Sequence, residues 1–116
     1  MAKLGIGRAT KAGGMVYVNA VGPVDGEKQR VVRGGIKEHT RQSIANLKAR
    51  LEEHGSSLDK VVWASYALRD PADFEIFNEE WRKEFPADGP IGQSTNMPPL
   101  QRRVGFRVAI GVIAEA

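Results

Sequence analysis

Between His54 and Met97 the chain sets a helix stop, an apolar strand, a capped helix and a polar Pro-Gly-rich segment in immediate succession. That succession leaves few folds open. Upstream of it, Ile36, Thr40, Ile44, Leu47 and Leu51 recur at helical spacing, with Lys37, Glu38, Arg41, Lys48, Arg50 and Glu52 turned outward. Gly55 follows as a residue able to take the left-handed conformation that ends a helix. Val61 to Leu68, VVWASYAL, is apolar at successive positions, as expected of a central strand covered on its faces. Asp70-Pro71-Ala72-Asp73 then opens a second helix. Asp70 is placed to cap it, Pro71 sits where no amide hydrogen is needed, and Asp73 faces the positive end of the helix dipole. Phe74, Phe77, Asn78 and Trp81 form the inner stripe of this helix, and Phe85-Pro86 stops it.

Outside that block the period is that of strands. Met15 to Val21, MVYVNAV, lies between Gly13-Gly14 and the turn-forming Gly22-Pro23-Val24-Asp25-Gly26, and a polar arm from Lys3 to Ala9 pairs with it as a hairpin. Gln93 to Met97 and Val104 to Ile113 supply the last two strands. The order is strand, strand, helix, strand, helix, strand, strand. Two helices cover one face of such a mixed sheet, and the other face needs a partner. The chain of 116 residues reads as one domain, residues 1–116. A domain of this size buries only about two thirds of its unfolded surface, which favours further burial between subunits.

Composition narrows the function classes. Lys and Arg number 17 against 14 Asp and Glu, a net charge of +3. The basic residues are interspersed with acids except at Arg102, Arg103 and Arg107, so nucleic-acid binding is disfavoured. The chain has no cysteine, hence no disulfide, thiolate nucleophile or cysteine metal site. His39 and His54 read as solvated residues on the outward side or end of one helix, without metal-ligand spacing. Lys3, Arg8 and Lys11 break any apolar run at the N-terminus, and no segment has the length of a membrane span. These features point to a cytoplasmic, metal-independent protein with no cofactor.

The run Gly55-Ser56-Ser57-Leu58-Asp59-Lys60-Val61-Val62, the strand after it, Asp70-Pro71-Ala72-Asp73-Phe74 with Asn78, and Phe85-Pro86 together resemble the reactive intermediate deaminase family, RidA/YjgF, some of whose members carry an endoribonuclease L-PSP label. The resemblance covers residues 13 to 114. It implies an α+β, chorismate-mutase-like fold: a mixed sheet with two helices on one face, in a homotrimer that closes a central β-barrel. It further implies an active site between subunits for a small enamine, imine or amino-unsaturated acid. There an arginine holds the substrate carboxylate and a glutamate on the last strand helps place the water.

This chain departs from that pattern. The arginine position becomes Gly92, the glutamate position Gly111 and a serine on the second strand Asn19, and a tyrosine near the family's N-terminus has no equivalent. Gln93, Ser94 and Thr95, followed by Asn96, put uncharged hydrogen-bonding groups into the same segment. They suit either a rebuilt ligand site or a solvated loop. Arg107, four residues before Gly111, points to the same face if the strand is regular, and is the candidate to replace the missing arginine. The substrate-binding set is thus Asn19, Gly92, Gln93, Ser94, Thr95, Arg107 and Gly111, with the catalytic group unknown. Two functions stay open: a deaminase or related hydrolase of altered specificity, and a trimer that holds a small metabolite without turnover. A ribonuclease is the weakest reading, since no stacking aromatics adjoin the arginines.

Overall fold

The computed structural model describes residues 6–86 and 88–116. Gly13 and Gly14, both at positive φ (58° and 78°), turn the chain tightly between β1 (Ile6–Ala12) and β2 (Met15–Val21). These pair antiparallel, as the sequence predicts, while the part of the predicted arm before residue 6 lies outside the described residues. A short hairpin, β3 (Val24–Asp25) and β4 (Arg30–Val31), leads to α1 (Ile36–Glu53). All five residues of the predicted α1 stripe are buried, and Gly55 at φ 77° releases the chain from the helix. Next come a 3-10 turn (Leu58–Lys60), β5 (Val61–Leu68), a second 3-10 turn (Pro71–Asp73) capped by Asp70, α2 (Phe74–Glu84), β6 (Ile91–Asn96), α3 (Pro99–Arg103) and β7 (Val108–Glu115).

The sheet order is β1-β2-β7-β5-β6, antiparallel except for the parallel β5–β6 pair. β5 is therefore paired on both sides, but β7 holds the centre. Val16, Val18, Ala64, Val108, Ile110 and Val112 project to one face and pack under Leu47, Leu51, Phe77 and Trp81 of the helices. The opposite face is uncovered except at one end, where Val24, Met97 and Phe106 close over Ala67 and Ala109 as a second, smaller core.

Three sequence readings need correction. The last strand begins at Val108, not Val104, because Pro98-Pro99 starts a helical turn that Gly105, at φ 91°, terminates; the Phe106 amide then bonds the Gln101 carbonyl. Phe74 is 43% exposed rather than part of the α2 inner stripe, while Glu80, 5% exposed, is buried instead. Glu80 receives Lys83 Nζ at 2.8 Å and Arg41 Nε at 2.6 Å. Those bonds hold its carboxyl below the usual range against the opposing effect of burial.

His39 is the third correction. It is buried, not solvated, because it shares a helical stripe with Ile36 and Ser43. Its Nε2 donates to the Val32 carbonyl at 3.0 Å, and its Nδ1 accepts the Arg107 amide hydrogen at 3.3 Å, which fixes the neutral tautomer. Burial pushes the imidazole below its ordinary value, opposed by the Val32 bond and assisted by the Arg107 charge. The unfolded chain binds that proton more readily, so stability is full above about pH 6.5 and declines as pH falls below it. Urea unfolding at pH 7.5 and pH 5.5 is expected to show the lower midpoint in acid, with the difference reduced in His39→Gln. This window lies above the range in which Glu80, Glu38 and Asp25, all lowered, take up protons.

Candidate functional site

The uncovered face carries a polar row that crosses all five strands. Arg8 of β1 stands opposite Asn19 of β2, Gly111 of β7 lies opposite Ser65 of β5, and Ser65 is in register with Gln93 of β6. Asn19 closes the row at its centre: a Cβ built on Gly111 would lie 2.6 Å from Asn19 Oδ1 and 3.2 Å from Ser65 Oγ. The Asn19 amide therefore occupies the room that a side chain at position 111 would take. Strand alternation puts all of these groups on the face away from the helices.

Beside this row runs an apolar one, since the register sets Ile113 against both Tyr17 and Trp63. The polar row from Arg8 to Ser65 and the apolar row, with Thr10, line a concavity of about 540 Å3. On the other side of Gly111 a smaller cavity of about 220 Å3 is lined by Asn19, Ser65, Thr95, Gln101 and Ala109 among others. Gln101 Oε1 has no hydrogen-bond partner among the described residues. None of the described residues lining this smaller cavity is Asp, Glu, Lys, Arg or His.

The residues singled out from the sequence divide into three groups. Asn19, Thr95 and Gly111 meet on the uncovered face. Gly92 and Ser94 are in register with Ala64 and Tyr66 and turn to the helix side, where they line a groove of about 460 Å3 with Phe74, Asn78 and Arg82. Gln93 borders that groove through its strand and heads the polar row by register. The segment from Gln93 to Asn96 is an edge strand, not a loop. Arg107 stands apart: it precedes β7, so alternation along that strand does not govern it. Its amide is spent on His39 and its carbonyl accepts from the Arg69 amide.

Sequence reading missed Arg8, Ser65 and Gln101. Ser65 had a signal, as the one hydroxyl among the apolar residues of VVWASYAL other than the Tyr66 phenol. Arg8 had none, because its place opposite Asn19 is a matter of register.

The endoribonuclease L-PSP family profile matches residues 6–116. A RutC family protein of Pyrococcus abyssi is 36% identical over 97 residues, covering 84% of this chain and 76% of the relative. The 3-aminoacrylate deaminase RutC of Acinetobacter baylyi is 34% identical over 82 residues, 71% of this chain and 65% of that protein. Among solved structures, RidA from an Antarctic Psychrobacter superposes with a TM-score of 0.82 at 28% identity, over 93% of this chain and 85% of that one. Yeast Mmf1 does so with a TM-score of 0.82 at 31% identity, over 92% and 83%.

Proposed function

Because the chain belongs to the RidA (endoribonuclease L-PSP) family, we propose that it is a deaminase-type hydrolase of altered specificity, acting on a small enamine, imine or amino-unsaturated acid. The observation that carries this reading is the neutral cradle of Asn19, Ser65, Thr95 and Gln101 around Gly111. In the reaction the oxygen of water adds to the C=N carbon and a proton passes to nitrogen. The tetrahedral adduct then expels ammonia and leaves a carbonyl group. An imine is reactive enough that positioning and hydrogen bonding carry much of the task. Asn19 and Ser65 offer donors and acceptors to the nitrogen and the attacking water, and solvent moves the protons. The same uncovered face, in this reading, meets its counterparts in a homotrimer of single-domain protomers, with the site between subunits. The cytoplasm is the compartment we assign.

One feature favours a second reading: a cavity with no Asp, Glu, Lys, Arg or His among its described lining residues suits a protein that holds a metabolite without converting it. Ammonia release from freshly generated 2-iminopropionate separates the two. The hydrolase is expected to exceed the spontaneous rate, and Asn19→Ala to lose about tenfold, as for one hydrogen bond worth about 1.4 kcal/mol. A ligand-induced rise in Tm without ammonia would instead support the binding protein.

A further inference from the structure

We infer that Arg8 is the anion-binding residue of this site and that the substrate is a 2-imino or 2-enamino acid with an aromatic or similarly bulky apolar side chain. The inference rests on the hydrolase reading for its chemistry but not for its binding geometry. Arg8 is the one charged residue among those described that line the 540 Å3 concavity, and among the described residues it forms no ion pair. Its cross-strand neighbour is the neutral Asn19, not an acid, so its charge is left for a ligand. Strands lie about 4.8 Å apart, which places Gly111 two spacings, about 10 Å, from Arg8 along the row. A carboxylate held by the guanidinium, which bonds both oxygens in parallel, therefore leaves the adjoining 2-carbon over Asn19 and Gly111. An arginine on an outer strand commonly serves to discourage edge pairing. This one instead shares its sheet face with the polar row and the cavity.

The apolar row sets the other end of the ligand. Tyr17, Ile113 and Trp63 form a strip beside Asn19 and Gly111, with Tyr17 44% exposed. A cavity of this volume falls within the range of sites for ring-sized ligands. Water addition to such an imine, followed by loss of ammonia, gives the corresponding 2-oxo acid, with no oxidant or further reactant.

Two readouts test this on the intact protein: calorimetric binding of 3-phenyl-2-oxopropanoate, its methyl ester and 2-oxopropanoate, and ammonia release from the imine of phenylalanine generated in place. The variants are Arg8→Gln, Arg8→Lys and Arg107→Gln. The wild type is expected to bind the aromatic acid at least about tenfold more tightly than the ester or 2-oxopropanoate, as one bidentate charge-assisted contact or one buried ring would give. Arg8→Gln should lose about tenfold for the acid with the ester unchanged, Arg8→Lys should fall between, and Arg107→Gln should match the wild type. No binding of the acid by the wild type, equal binding by Arg8→Gln, an equal loss in Arg107→Gln, or no preference for the ring overturns the inference. Arg8-dependent binding without ammonia release keeps Arg8 as the anion-binding residue for an aromatic acid and removes the hydrolase reading, on which that acid's being a substrate rests. Ammonia release indifferent to Arg8→Gln does the reverse.

Discussion

Phe77→Ala is expected to lower the free energy of unfolding by about 3–5 kcal/mol, the range for emptying an aromatic site in a packed core. Phe77 is 1% exposed, and its ring centroid lies 4.6 Å from that of Tyr66 and 5.5 Å from that of Trp81. Trp81 in turn stacks on Phe85 at 4.4 Å. The truncation removes both the buried area and the tilted ring contacts, which add roughly 0.5–1.5 kcal/mol a pair. The neighbouring rings are held by one another and cannot collapse into the space. Phe74→Ala on the same helix is the contrast: that ring is 43% exposed and touches only the rim, at 6.3 Å from Tyr66, so a loss near 1 kcal/mol or less follows. Urea unfolding of both variants, at one protein concentration so that association does not intrude, checks the difference. Equal losses would show that α2 does not pack as described.

The consequence reaches the site through β5. Tyr66 faces the helices and Ser65, the next residue, faces the polar row, so the aromatic cluster anchors the strand that presents Ser65 opposite Gly111. Anchor and site lie on opposite faces of one sheet.

The contrast between Phe77 and Phe74 also separates what periodicity specifies from what only packing decides. Elements with a strong period were legible: the α1 stripe from Ile36 to Leu51 is buried throughout, and Gly55 and Asp70 perform the terminating and capping roles their chemistry suggests. Elsewhere local chemistry competes with period and overrides it. The run from Val104 to Ile113 is apolar enough for one strand, but Gly105 takes positive φ to end α3, and the strand that follows starts only after Arg107, whose face its alternation therefore does not set. Polarity alone assigns His39 to the solvated side, whereas its spacing from Ile36 places it on the buried stripe.

Half of the candidate site was legible for a similar reason. Asn19 and Gly111 sit on strands whose boundaries the sequence shows or nearly shows, and they meet as neighbours across β2 and β7. Arg8 and Ser65 become site residues only through pairing between distant segments. Register is set by the hairpin turn at Gly13-Gly14 and by packing over the whole sheet, and no local pattern near Arg8 reports it. Gly92 differs: the resemblance groups it with Gly111, whereas alternation along β6 turns it to the helix side of the sheet.

Gly22→Ala is expected to cost about 3 kcal/mol, the upper part of the range for overpacking, although it adds one methyl group. Gly22 is buried between β2 and Pro23, and a Cβ there would lie 2.2, 2.6 and 2.8 Å from three atoms of the Phe106 ring. Its φ is not among the positive values that disfavour a side chain, so the penalty comes from the collision alone. The ring has little room to retreat: Phe106 is 4% exposed and belongs to the small core with Val24, Ala67, Met97 and Ala109. Ala67 and Ala109 also line the smaller cavity beside Gly111, so displacing Phe106 disturbs one wall of the site as well as stability. A double-mutant cycle with Phe106→Leu isolates the collision. The smaller side chain makes room for the methyl group, and the double variant should be more stable than the sum of the two single losses by about 1–2 kcal/mol. Strict additivity would mean that Gly22 is required by its backbone rather than by the ring, and the close approach of Gly22 to Phe106 would no longer explain why glycine stands there.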